Sequence, residues 1–163
     1  MKIYYQGSPG AYSHLAALEV YPQAPILPCK TFDECFEKAE QDHQARIIIP
    51  ESNRITGNIG VEYLIFKHRL NIYAEHFQKV EHNLLALPGT KLKEIKDVFS
   101  HAQALSQCSN FIKKSKITEN VRADTAGSAD LISKNNDKSK AAIASTLSAK
   151  IYKLDILSSN IEN

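Results

Sequence analysis

Cysteine is scarce in this sequence and cannot pair completely: there are three residues, Cys29, Cys35 and Cys108, with no CxxC spacing. An odd count leaves no full disulfide framework, so a reducing compartment is expected. Long hydrophobic runs are missing too, none approaching the ~20 residues of a membrane span. The opening stretch from Met1 to Gly7 passes straight into a strand pattern, without the apolar segment of a signal peptide. Together these features predict a cytoplasmic protein that does not enter the membrane. Charge of one sign is also lacking, since 20 basic residues face 18 acidic ones for a net charge of +2. The lysines are scattered among acids, which argues against nucleic acid as a partner, and the cluster Lys113, Lys114 and Lys116 reads as the solvated end of a helix. His14, His68, His76 and His82 show no metal-ligand spacing, and Cys29 and Cys35 supply them no partners, so no metal is expected. Neither a G-x-S-x-G elbow nor a P-loop occurs.

What the sequence does contain is enough apolar material for a core, 43% of 163 residues, in a chain sized for one domain or two small lobes. Short β-rich runs alternate with helical patterns, the signature of an α/β fold. Strands are expected at residues 2–6, 46–50, 70–77, 83–87, 97–100, 120–123, 140–144 and 155–157. Helices are expected from about Ala11, after Thr31, and at 102–113, 125–133 and 146–152. Thr31-Phe32-Asp33-Glu34 has the form of a capping box, in which a hydroxyl takes a backbone donor and a carboxylate reaches back. Two β-like runs follow each other between Leu70 and Leu87 with no helix between them, and a turn follows at Leu87-Pro88-Gly89-Thr90. The pattern predicts a lobe change there: a first lobe over about 1–79, a second over about 80–163, and a cleft between them.

The most informative feature is the chemistry where strands hand over to the next element. Gly7-Ser8-Pro9-Gly10, Pro50-Glu51-Ser52-Asn53, Ser100-His101-Ala102-Gln103, Asp124-Thr125-Ala126-Gly127 and Ala144-Ser145-Thr146 all place small or hydrogen-bonding residues at expected helix starts. Helix N-termini offer unpaired N–H groups and a positive dipole end, and the C-terminal ends of strands are where open α/β sheets bind ligands. Capping alone accounts for any one of these junctions, because Ser, Thr, Asp and Asn are the preferred caps. All five together, converging on a cleft, suit a site for carboxylates or phosphates. Gln103 and Gln107 stand at i and i+4, on one helix face, where two amides could hold a carboxylate or a hydroxyl, although a solvated face has the same spacing. His101 is a candidate general acid or a residue orienting the strand end, and Cys108 a small core residue rather than a nucleophile.

These same residues resemble the prephenate dehydratase family. Gly7-Ser8-Pro9-Gly10-Ala11-Tyr12-Ser13-His14-Leu15-Ala16-Ala17 is similar to the family's opening Gly-Pro-x-Gly-Thr-Phe-Ser-x-x-Ala-Ala. Ser100-His101-Ala102-Gln103-Ala104-Leu105-Ser106-Gln107-Cys108 resembles Ser-His-Pro-Gln-Ala-Leu-x-Gln-Cys, and Asp124-Thr125-Ala126-Gly127-Ser128-Ala129 resembles Asp-Thr-Ala-x-x-Ala. Ala141-Ala142-Ile143-Ala144-Ser145, the stretch from Ile151 to Leu157, and Asn160-Ile161-Glu162 resemble the remaining motifs in the family's order.

The resemblance implies two α/β lobes of the periplasmic-binding-protein type, type II, with the site in a cleft between them. It implies removal of CO2 and water from prephenate to give phenylpyruvate, a step of phenylalanine biosynthesis, without metal or organic cofactor. It places Thr125, Gln107, Asn53 and His101 in catalysis, and Ser8, Gly10, Ser52, Ser100, Gln103, Ala144 and Ser145 in substrate binding. The partner expected is the small molecule prephenate, with no nucleic acid and no membrane; a homodimer is one assembly open to such a chain. Two departures stand out. Where the family has Pro-Ile-Glu-Asn-Ser and then a Gly, this chain has Pro50-Glu51-Ser52-Asn53-Arg54-Ile55-Thr56-Gly57, with Asn53 in register. The family's Asn-x-Thr-Arg-Phe, whose Thr is catalytic, and its ACT domain do not appear within the 163 residues, so a chain truncated before both is expected. A carboxylate-binding protein without turnover is the alternative function.

Overall fold

The computed structural model describes residues 1–55 and 57–163. The chain divides into two compact units, Met1–Ser8 with Tyr12–Gln78, and Pro9–Ala11 with Lys79–Asn163.

The first unit is built on a parallel three-stranded sheet in the order β2-β1-β3, from β1 (Ile3–Gln6), β2 (Ile26–Cys29) and β3 (Arg46–Ile48). Helices α1 (Tyr12–Val20) and α2 (Phe32–Gln41) pack against β1. Tyr4, Cys29, Cys35 and Ala45 form a small core with Ile47 against it. The start of α2 follows from its sequence, since the Thr31 hydroxyl accepts the Glu34 N–H at 3.1 Å. The Glu34 carboxylate, however, reaches one residue further back than a capping box requires and accepts from Lys30 N at 2.7 Å.

Beyond β3 the chain departs from the sequence pattern. Residues 50–53 do not open a helix; Ser52–Asn53 (β4) pairs antiparallel with Gly57–Asn58 (β5), and a short helix α3 (Glu62–Lys67) follows. Nor is there a strand at 70–77. Ile72, Tyr73 and Phe77 are 73%, 80% and 87% exposed, because β-forming residues make a strand only when a neighbouring ladder accepts them, and neither main sheet extends to this segment. Side chains tether it instead: Arg46 lies over the Tyr73 ring at 5.4 Å, and His76 Nε2 meets Glu19 Oε2 at 3.1 Å.

The second unit has a five-stranded sheet in the order β10-β6-β9-β7-β8: β6 (Asn83–Ala86), β7 (Asp97–His101), β8 (Thr118–Arg122), β9 (Lys140–Ala144) and β10 (Asp155–Ser158). β7 runs parallel to both β8 and β9, whereas β6 runs antiparallel to β9 and β10. Both faces are covered. Leu84, Ala86, Val98, Ala141 and Ile143 meet Leu105, Cys108 and Ile112 on one side, and Leu85, Phe99, Ala142 and Ala144 meet Ala129, Ile132 and Ala149 on the other. A strand buried on two faces is a continuous apolar run, which is why Ala141-Ala142-Ile143-Ala144 is readable as β9.

The helix expected at 102–113 is two helices, α4 (Ala102–Gln107) and α5 (Ser109–Ser115), separated at Cys108. The last residue of the chain bridges that break: the Asn163 side chain accepts Asn110 N–H at 3.0 Å and donates to Ser106 O and Ser109 Oγ, both at 3.2 Å. Helices α6 (Thr125–Lys134) and α7 (Thr146–Tyr152) complete the unit. Among the described residues no helix is long and apolar enough to cross a membrane.

Candidate active site

Topology gathers the site residues of the second unit. β7, β8 and β9 are parallel neighbours, so their C-terminal ends and the starts of α4, α6 and α7 lie along one edge of the sheet. β6 runs the other way and pairs Asn83 with Ala144, which brings its beginning to the same edge. Four chain segments therefore converge there: His82-Asn83, Ser100-His101, Arg122 to Thr125, and Ala144-Ser145.

At the end of β7, Ser100 is fully buried and its hydroxyl donates to Ile143 O at 2.7 Å, which ties β7 to β9. His101 is exposed and caps α4, its Nδ1 accepting the Gln103 N–H at 3.3 Å. With Nδ1 so engaged, Nε2 is the ring atom available for proton delivery. Gln103 and Gln107 are both half-buried on α4. Gln107 Oε1 accepts from His82 Nε2–H at 2.8 Å, so its NH2 end is the part that can donate to a ligand. Cys108 is fully buried and its thiol is pushed up to about 12 by burial, then by the Glu162 carboxylate, which rules out a resting thiolate nucleophile.

Asp124 caps α6 by accepting the Gly127 N–H, and this fixes the half-buried Thr125 as the first helical residue. Arg122 pairs with His101 across the ladder; its guanidinium lies over the Phe99 ring at 5.5 Å and adds a full positive charge to the edge. Ala144 is fully buried, and its carbonyl accepts from Asn83 Nδ2 at 3.4 Å. The Ser145 hydroxyl caps α7 through Ser148 N and donates to Gly10 O at 2.6 Å. Gly10 has φ +97°, and a Cβ there would stand 2.4 Å from Ser148 Oγ, so only glycine fits. Ser8, Ser52 and Asn53 lie in the first unit, where Asn53 Oδ1 accepts from Ile55 N at 2.9 Å.

His82, Asn83 and Arg122 were not singled out by sequence pattern as site residues. His82 is 2% exposed, and burial lowers its pKa, opposed by the Gln107 bond and the Glu162 carboxylate. A neutral ring results at pH 7. The signal in sequence was present but undirected: His82-Asn83 precedes the apolar run Leu84-Leu85-Ala86-Leu87, and only the reversed direction of β6 puts these residues at the same edge as the ends of β7 and β9. Among the described residues no group of three or more His, Cys, Asp or Glu could hold a metal ion.

Known proteins place this geometry in a family. The family model described as prephenate dehydratase matches residues 3–163. Arogenate dehydratase/prephenate dehydratase 1, chloroplastic, of Arabidopsis thaliana is 40% identical over 164 residues, covering 100% of this chain and 42% of that protein. The solved structure of GqqA, described as a novel type of quorum quenching acylase, superposes with a TM-score of 0.89 at 32% identity over 100% of this chain and 60% of the other. Prephenate dehydratase from Arthrobacter aurescens in complex with L-Phe gives a TM-score of 0.90 at 22% identity, over 99% of this chain and 56% of the other, a likeness of fold. The chain thus spans less than half the length of its Arabidopsis relative, and with nearly every residue inside the matched region it belongs to the prephenate dehydratase family.

Proposed function

We propose that this chain carries the dehydratase chemistry of its family: prephenate loses CO2 and water to give phenylpyruvate. The observation that carries the reading is the convergence of Gln103, Gln107, His101, Arg122 and Thr125 on one sheet edge, within a chain matched to the family over residues 3–163. In the reaction the bond from the ring to its carboxylate breaks, its electron pair enters the ring, and the C4 hydroxyl leaves as water after gaining one proton. Aromatisation drives the step, so the protein has to hold two carboxylates and protonate the departing oxygen. Arg122 and the Gln107 NH2 suit the first task, because donors aligned in advance cost no reorganisation during reaction. The Thr125 hydroxyl and His101 Nε2 suit the second.

Three free, buried cysteines fit a reducing compartment. The name of the Arabidopsis relative raises arogenate as a second substrate of the same chemistry. The test is product formation near neutral pH by the natural polypeptide that carries this chain, following phenylpyruvate from prephenate and phenylalanine from arogenate, with spontaneous decay subtracted. Turnover of prephenate supports the proposal and turnover of arogenate alone moves it to the amino substrate. Saturable binding without either product replaces it with a carboxylate-binding role.

A further inference from the structure

We infer that His82 is a positioning residue, whose Nε2–H, donated to Gln107 Oε1 at 2.8 Å, fixes which end of the Gln107 amide is presented to the substrate. The inference rests on the assignment of Gln107 to the substrate site. A carboxamide is nearly symmetric in shape but opposite in chemistry at its two ends, and half a turn about its last torsion exchanges an NH2 donor for an oxygen acceptor. An oxygen turned toward a substrate carboxylate repels it. A neutral histidine bonded through Nε2–H accepts only one of the two orientations, the one that leaves the NH2 outward.

Such a device works only if the histidine itself cannot move, and the backbone around it is pinned. The His82 N–H donates to Glu162 Oε2 at 2.9 Å, and its carbonyl accepts from Ile161 N at 3.0 Å. Ile161 is 6% exposed and belongs to the core under α4 and α5. On the other side of the pair, the Gln107 carbonyl accepts from Asn163 N at 2.7 Å. Residues 161–163 therefore hold both members of the pair, His82 from the start of β6 and Gln107 from the end of α4. This is more restraint than packing an imidazole requires, and it is applied to an amide of α4 whose oxygen is taken.

The experiment measures prephenate affinity by calorimetry on the folded chain and on His82→Leu, His82→Gln, Gln107→Ala and the double variant His82→Leu/Gln107→Ala, each checked by thermal melting. Loss of an oriented donor to a carboxylate weakens binding roughly 10-fold or more. His82→Leu is expected to show that loss. His82→Gln, which can return an N–H close to the Nε2 position, recovers most of it, and the double variant binds no more weakly than Gln107→Ala alone. If the His82→Leu and Gln107→Ala losses multiply, or if Gln107→Ala weakens binding while His82→Leu leaves it unchanged, the substrate assignment of Gln107 survives and the positioning role is overturned. Wild-type affinity in Gln107→Ala instead removes the assignment itself and the inference with it. Should His82→Leu fail to fold, long-range ¹⁵N–¹H correlations on the unmodified chain decide: a neutral Nε2–H tautomer at His82 is expected, and an Nδ1–H tautomer overturns the role.

Discussion

Ser145 and Gly10 lie 135 positions apart in the chain and are joined by a 2.6 Å hydrogen bond from the serine hydroxyl to the glycine carbonyl. Ser148 adds a second donor to the same oxygen at 3.1 Å. The start of α7 is thereby locked onto the Pro9–Ala11 segment, which places one of the family's opening glycines against the end of β9. Gly10→Ala is expected to destabilise the protein by about 2 kcal/mol or more, from the positive φ and from a methyl group driven against Ser148. Ser145→Ala is expected to cost about 1–2 kcal/mol through the lost cap and the loss of the shorter of the two bonds to the Gly10 carbonyl. Denaturant unfolding of both variants checks the pair, and two unchanged midpoints would mean that the lock carries no load.

Thr125 depends on a cap in the same way. Asp124→Ala removes the acceptor for Gly127 N–H at the start of α6 and is expected to cost about 1 kcal/mol, while Asp124→Ser keeps most of the stability. If Thr125 contacts substrate, the Ala variant also weakens prephenate binding. A change in melting temperature with no change in affinity would confine Asp124 to the helix end.

Gln107→Ala and Thr125→Ala are expected to separate binding from folding. Both side chains are only half-buried, so truncation should move stability by less than about 1 kcal/mol while lowering prephenate affinity. Variants that melt several degrees lower and still bind normally would make these residues supports for the fold.

The buried ring of His82 gives stability a direction with pH. Its folded pKa lies below the ordinary 6.5, so between the two values the unfolded chain binds the extra proton. This contribution is complete above 6.5 and is lost as pH falls through 6.5 toward the folded value. His14, stacked on Tyr5 at 4.8 Å and also shifted down by burial, acts in the same sense. His82→Gln should therefore flatten, without abolishing, the fall in stability as pH drops below 6.5. Chemical denaturation at a series of pH values measures the slope, and an unchanged slope in the variant would contradict a neutral buried ring.

Much of the second unit was readable because its local signals and its packing agree. The all-apolar run of β9 reflects a strand covered on both faces, and Asp124 and Ser145 are side chains whose chemistry caps a helix and does so. The failures share one cause, a partner remote in sequence. Residues 70–77 have strand composition but no ladder to join, and the break at Cys108 is bridged by Asn163, 55 or so positions away, with neither proline nor glycine to mark it. The His82–Gln107 pair was invisible for the same reason: its members are 25 residues apart, and only the antiparallel placement of β6 brings them together.

The central claim, that the strand-end edge of the second unit receives prephenate, is tested most directly by titrating isotope-labelled protein with prephenate and following backbone amide resonances. Saturable shifts are expected at Asn83, at residues 101–107, at residues 122–127 and around Ser145, with a dissociation constant at or below the millimolar range usual for enzyme substrates. Absence of saturable shifts at that ligand concentration, or shifts confined to the opposite end of the sheet around Asp97, Thr118 and Lys140, would contradict the account.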